Sequence, residues 1–379
     1  MFPLLSGLGS QLKSHKNKVH IDGNVFRLLT SVTVVLLLAF SVLLTAKDYV
    51  GSPIDCYCPS IEKSVLDSFC WIESTYSLKS LFAASRTKEL AYPGTGNDRK
   101  VPGDRQYHRY YQWVCFLLFG QAIFFYFPRW LWSAWEGGRV PAIVSALDVE
   151  SVAFHDSGGE LRSRLVDFLV LNLNRNNWYF AKYLLCELAG FLNVIAQVML
   201  TDVALSGTFV SYGSDVVEWY RTKAEQRLVS PMVRAFPRMA MCSFFRYGDS
   251  GALENREAVC VLPVNIVNEK LFLFLWFWYM LLLATGALLL VYRVLLVIHA
   301  PLRYGLLQAR YPDSEQMGDL VRSLAVGDVF LLGLIGQNTD PLVFGQLVRE
   351  LSQRVPQCPD KNGRAAQINR YPLNCCRAA

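Results

Sequence analysis

Ten cysteines and five histidines are the residues of this 379-residue chain best suited to covalent or metal chemistry. Half of the cysteines fall in two stretches, Cys56, Cys58 and Cys70 in one and Cys242 and Cys260 in the other. The histidines, His15, His20, His108, His155 and His299, are scattered, and none has a Cys, Asp or Glu at metal-ligand spacing on an intramembrane helix face. There is no Gly-x-Ser-x-Gly, no Walker-type loop and no Gly-x-Gly-x-x-Gly before a helix. The sequence therefore suggests no catalytic residue, no metal and no cofactor. What it offers is thiol oxidation. Any four of these five thiols allow three pairings, among which the sequence does not choose, and a fifth is left over.

Disulfides need elements that hold the cysteines in an oxidising compartment. The chain is 53% hydrophobic, 13% aromatic and 18% charged, too apolar for an ordinary soluble fold of this length. Four stretches can cross a hydrocarbon core, which takes about 20 helical residues: 28–46, 111–131, 180–205 and 271–298. An even number of spans puts both termini on one side. The segment 1–27 carries Lys13, Lys16, Lys18 and Arg27 against Asp22, so that side is the cytoplasm by the positive-inside rule. The long stretches 47–110 and 206–270 then face outward, where disulfides survive. Segments 132–179 and 299–379 are cytoplasmic. Cys115 and Cys186 lie in spans and Cys358, Cys375 and Cys376 in the tail, all as reduced thiols. More than twenty mostly polar residues precede the first apolar run, which argues against a cleaved leader. The net charge of +6 reads as solvated membrane-flanking charge.

Polar residues inside the spans are the second candidate chemistry. Lys182, Glu187, Asn193, Gln197, Thr201 and Asp202 interrupt the third span. Glu187, Gly190, Val194, Gln197 and Thr201 share a helical face that lipid would reject. That face meets either water in a pore, which makes Glu187 and Gln197 candidate pore-lining residues, or neighbouring spans. The contact reading weighs more, since polar side chains serve as inter-helix contacts. Thr30, Ser31, Thr33, Ser41 and Thr45 dot the first span, and Lys47, Asp48 and Tyr49 close it. Pro128 should bend or end the second helix, because it has no N–H to donate. Outside the spans, Glu160 to Leu173 reads as an amphipathic helix after the loop Ser157-Gly158-Gly159. Pro301 to Arg310, Ser314 to Leu324 and Pro341 to Arg354 are further helices, and the chain beyond Gln357 reads as disordered.

Tyr110-Tyr111-Gln112-Trp113-Val114 is, by periodicity, an aromatic-anchored entry into a membrane helix. As a string it resembles the signature of the innexins, the invertebrate gap-junction proteins. The resemblance extends over Tyr49-Val50-Gly51-Ser52-Pro53-Ile54-Asp55-Cys56, Phe69-Cys70-Trp71-Ile72, Trp135-Glu136-Gly137-Gly138, Cys260-Val261-Leu262-Pro263 and Asn265-Ile266-Val267-Asn268-Glu269-Lys270. Gly327-Asp328-Val329-Phe330-Leu331-Leu332 and Asn338-Thr339-Asp340-Pro341-Leu342-Val343 resemble the family's C-terminal helical region, with Val329 where the family usually has Trp.

The resemblance implies an all-α integral membrane protein of the plasma membrane at cell-cell junctions. It implies four transmembrane helices, two disulfide-bonded extracellular loops with minor β content, a helical cytoplasmic dome and an oligomeric pore. It pairs Cys56 with Cys260 and Cys70 with Cys242, against which Cys58 is an odd thiol whose simplest reading is an unpaired and buried one. It also places Met1, Phe2, Lys47 and Asp48 along the conduit, and makes the partners a ring of eight copies and a docked ring on the adjacent cell, other innexins included. Ions and small metabolites would pass. The rival readings are an undocked pannexin-like hemichannel and a non-conducting four-span adhesion or scaffold protein. No nucleic-acid partner is suggested.

Overall fold

Four helices of this computed structural model are long and apolar enough to cross a membrane: Asn24–Ala46, Val114–Glu136, Asn177–Ala204 and Val264–Ile298. Each apolar run read from the sequence lies on one of them. Residues 19–83, 92–96, 103–152, 158–223, 229–248, 250–299, 301–303, 305 and 324–355 are described. Helix α1 starts with the turn Asn24–Arg27, passes through a π turn at Leu28–Val32 and continues as Thr33–Val50. The Thr33 hydroxyl donates to the Leu28 carbonyl at 2.8 Å, across the five-residue step of that turn.

Besides the one-turn helices Ser80–Ala83 and Pro231–Ala235, the other elements are β1 (Asp55–Tyr57), α2 (Lys63–Glu73), β2 (Thr75–Leu78), β3 (Arg105–His108), α3 (Val114–Glu136), α4 (Arg139–Val152), α5 (Gly158–Leu171), α6 (Asn177–Ala204), α7 (Phe209–Arg221), β4 (Met239–Tyr247), β5 (Leu253–Val261), α8 (Val264–Ile298), α9 (Val326–Asn338) and α10 (Pro341–Arg354). Three expectations need correction. The second long helix begins at Val114, because Tyr110–Gln112 is a 3-10 turn whose side chains serve α2 instead. Of the two outcomes expected at Pro128, the ending is overturned, because α3 runs on to Glu136 with the proline inside it. Gly158 and Gly159 open α5 rather than precede it, a first turn having no intrahelical N–H bonds to weaken. Most of 301–324 and everything beyond 355 lie outside the described residues.

The chain divides into two compact units: residues 28–127 with 190–285, and residues 1–27 with 128–189 and 286–379. In the first of these a five-stranded antiparallel sheet has the order β1-β5-β4-β2-β3. Strands β1 to β3 come from the stretch after the first long helix, β4 and β5 from the stretch before the last. A core of Ile54, Leu66, Tyr111, Ala240, Leu262 and Val264 joins them to α2.

In the second unit a larger core gathers Phe26, Trp132, Tyr183, Leu331, Ile335 and Phe344. Glycines turn the chain from α3 into α4. Gly137 and Gly138 take φ of 65° and 78°, values open to glycine without steric cost. The Glu136 carboxylate then accepts from the N–H groups of Gly138 at 2.8 Å and Val140 at 2.6 Å, capping the start of α4. Asp340 caps α10 in the same way, accepting from Leu342 N–H at 2.8 Å with Pro341 in the first turn.

Gly327 permits a close backbone approach. A Cβ there would stand 2.3 Å from the Asn176 carbonyl group, and the Gly327 N–H donates to Asn177 Oδ1 at 3.0 Å. Backbone cannot yield as a side chain can, so Gly327→Ala should destabilise the protein by roughly 1–3 kcal/mol. Thermal unfolding of the purified protein in detergent checks this, with a melting point several degrees lower expected.

Candidate functional site

The cap formed by the sheet and α2 is stitched by two disulfides. Cys56 and Cys260 face each other across β1 and β5, with an S–S distance of 2.05 Å, and Cys70 on α2 is bonded to Cys242 on β4 at 2.03 Å. All four are buried. Asp67 adds a link that sequence reading missed, its carboxylate accepting from the Cys56 N–H at 2.6 Å. Cys58 carries a free, half-buried thiol 3.6 Å from the Ser60 hydroxyl, and Cys115 and Cys186 are likewise free.

The aromatic pentapeptide acts where α2 ends. A helix leaves its last four carbonyls without partners, and side chains from Tyr110–Gln112 supply them. The Tyr111 hydroxyl donates to the Cys70 carbonyl at 3.4 Å, and the Gln112 amide donates to the carbonyls of Trp71 and, at 3.2 Å, Ile72. The Tyr111 ring packs on Trp71 with centroids 4.7 Å apart, Tyr110 packs on Phe236 at 5.4 Å, and Val114 is buried. Trp113 stays exposed. The string thus fastens the disulfide-bearing helix to the start of α3.

The start of α8 is anchored comparably. Asn265 donates to the Pro237 carbonyl at 2.6 Å, Tyr212 donates to the Glu269 carbonyl at 3.0 Å, and the buried Glu269 carboxylate pairs with Arg238 at 2.7 Å.

His108 on β3 is a buried titratable group of the sheet. It is 2% exposed, its Nε2 lies 2.7 Å from the Ser77 hydroxyl, and burial pushes its pKa down to about 4. The unfolded chain takes up a proton near pH 6.5, whereas the native cap refuses it until about pH 4. Stability is therefore full above 6.5 and falls as the pH drops through that window, by up to roughly 3 kcal/mol. Melting points recorded between pH 7 and 4 should fall, and His108→Asn should flatten the fall. An equal acid dependence in the variant would contradict this.

Several of the intramembrane polar residues find partners within the protomer, whereas Asn193 Nδ2 and Gln197 Oε1 are buried without a hydrogen-bond partner among the described residues. Glu187, 1% exposed, receives two bonds from Arg293 of α8, Nε to Oε2 at 2.8 Å and Nη2 to Oε1 at 2.7 Å. The Arg293 guanidinium also lies over the rings of Tyr183, Tyr292 and Phe330, 5.4 to 5.7 Å from their centroids. In the other unit Tyr279 donates to Gln121 at 3.0 Å, Gln121 to Thr201 at 2.8 Å and Thr201 to the Gln197 carbonyl at 2.7 Å. Gln197 is 3% exposed. In α1, Trp278 donates to Thr33 and Ser41 to the Cys115 carbonyl. Arg293 and Gln121 were missed from sequence, although a lone arginine in one apolar helix and a lone glutamate in another are each a signal for the other. Met1 and Phe2 lie outside the described residues, as do the side chains of Lys47 and Asp48 in the last turn of α1.

An innexin family model matches residues 22–355, nearly everything from the start of α1 to the end of α10. The chain belongs to the innexin family. It is 42% identical over 359 residues to Innexin shaking-B of Drosophila melanogaster, covering 94% of this chain and 95% of that one. It is 40% identical over 358 residues to Innexin inx2 of the same species, covering 94% and 96%. Innexin inx2 of Schistocerca americana is also 40% identical over 358 residues, covering 94% and 98%. Innexins form oligomeric gap-junction channels, and this innexin is a subunit of such a channel. The family places it at plasma-membrane junctions, which the four apolar helices suit as a multi-pass protein.

Proposed function

We propose that this innexin presents its disulfide-bonded cap to the extracellular space and keeps both termini in the cytoplasm. Copies of it, eight by family resemblance, ring one aqueous pore, and two rings dock cap to cap between adjacent cells, so that ions and small metabolites diffuse through. The observation that carries this reading is the pair of bridges joining the stretch after the first span to the stretch before the last. They are stable only outside the cytosol, which agrees with the lysines ahead of the first span. They also make a docking face rigid before it meets its partner, which cuts the ordering cost of binding. Tyr57, Tyr107 and Tyr247 stand exposed on the sheet and offer the aromatic area that interfaces favour.

In this reading Met1, Phe2, Lys47 and Asp48 border the conduit, whereas Glu187 and Gln197 serve contacts between spans. The burial of both side chains and the bonds that Glu187 takes from Arg293 of α8 support that division, while Gln197 bonds to Asn193 within its own helix. Purified protein in nanodiscs tests the assembly by single-particle imaging, with rings of eight and face-to-face pairs of rings expected. A membrane-impermeant probe against an epitope inserted at Gly251 tests the sidedness. Labelling only after permeabilisation would overturn it.

A further inference from the structure

The backbone ahead of the first span is held by side chains from elsewhere in its unit. Asn338, the last residue of α9, clamps His20 from both sides: its Oδ1 accepts from the His20 N–H at 2.6 Å and its Nδ2 donates to the His20 carbonyl at 2.7 Å. Trp132 of α3 donates to the Ile21 carbonyl at 3.0 Å, and the Gly23 N–H donates to the Tyr183 hydroxyl of α6 at 3.0 Å. The carboxylate of Asp22, 3% exposed, lies 3.4 Å from Arg27 and 3.6 Å from Arg129. The segment 20–23 is thus fixed through its own peptide groups and also through two side chains, Asp22 and His20, whose Nδ1 lies 2.6 Å from Arg27 Nη2.

Of the three helices that hold it, α3 and α6 are spans and α9 is not. Helix α9 is itself seated at both ends. Asp328 accepts from Asn174 N–H at 2.9 Å and from the Asn176 amide at 2.6 Å, and Phe330 packs on Phe180 and Tyr183 with centroids 5.2 and 4.8 Å apart. Past the Thr339-Asp340 turn, α10 is tied to α5 by Arg162 to Glu350 and Arg354 to Asp167, each at 2.6 Å. A contiguous path runs from α5 through α10 and α9 to His20. It ends at the base of the N-terminal segment.

We propose that Asn338 is a positioning residue for the channel's N-terminal segment, coupling the placement of α9 and α10 to the residues that lead into the first span and so to channel opening. This rests on the pore reading above. Helices α5 and α10 are not spans, and α9 links them both to the span residues Phe180 and Tyr183 and to His20, so α9 is the holder through which a cytoplasmic event would reach the pore mouth. Losing both bonds of the clamp frees the His20 peptide while leaving Trp132 and Tyr183 in place.

Hydrogen exchange on the full-length protein in nanodiscs, read on peptides covering residues 19–27, is the first arm of the test. Asn338→Ala should speed exchange there about tenfold, Asn338→Asp, which keeps the acceptor, should speed it less, and peptides from β4 and β5 should exchange as before. The second arm is paired-cell recording at matched surface expression, where Asn338→Ala should shift the voltage dependence of junctional current and Asn338→Asp should restore part of it. Unchanged exchange at 19–27 would overturn the clamp. Faster exchange with unaltered gating would overturn the coupling while leaving the channel reading intact. Absence of current from the unmodified chain would instead remove the pore reading, and the coupling with it, with the exchange result still standing for the clamp.

Discussion

Arg293→Ala should abolish surface expression. The substitution leaves the Glu187 carboxylate, whose side chain is 0% exposed, without either of its guanidinium bonds. Removing one member of a buried pair costs roughly 3–5 kcal/mol, against a total stability on the order of 5–15 kcal/mol. Glu187→Gln should be milder, since the guanidinium keeps the faces of Tyr183, Tyr292 and Phe330 and one side-chain acceptor. The paired replacement Glu187→Leu with Arg293→Met should recover much of the loss, because two apolar side chains leave no charge to desolvate. Surface biotinylation with thermal unfolding in detergent measures all three. If the single alanine variant were expressed and melted as the unmodified protein does, Glu187 and Arg293 would not be the lock between α6 and α8.

Cys70→Ser should be nearly as severe, for a different reason. The Cys70–Cys242 bridge closes a separation of 172 residues, and losing such a link returns conformational freedom to the unfolded chain, typically at a cost of 2–5 kcal/mol. It also frees α2, whose carbonyls Tyr111 and Gln112 hold in register with the bridge. Here the double variant Cys70→Ala with Cys242→Ala should be no better than the single. A buried thiol or hydroxyl is a small liability compared with a buried charge, so the loss lies almost entirely in the missing covalent link. A double variant that regained wild-type stability would show that strain or packing, not the link, governs the cap.

The four spans were legible because a hydrocarbon core demands about 20 apolar residues in a row, and Leu271 to Ile298 could satisfy nothing else. Their ends were less so. Hydropathy registers only the apolar part of a helix, and the α8 backbone ladder starts at Val264, where Asn265 and Glu269 are polar but fully bonded. The pentapeptide could be recognised as a string, yet its work could not be read, because the carbonyls that Tyr111 and Gln112 meet lie about forty positions earlier in the chain. Glu187 was visible as an anomaly and Arg293 was not, since Arg293 sits near the end of an apolar run where a snorkelling arginine is unremarkable. Asn338 stood out only as the first residue of a family-like string, and nothing in the sequence pointed to its clamp. It bonds a backbone 318 residues away, and backbone carries no side-chain signature.

The most direct test of a docked channel is dual whole-cell recording from paired cells that express this innexin, with single cells as the control. The account predicts junctional current between pairs, its loss in Cys70→Ser, and its retention in Glu187→Leu with Arg293→Met. Normal surface expression with no junctional current, whether single cells conduct or not, would contradict the docked-channel account.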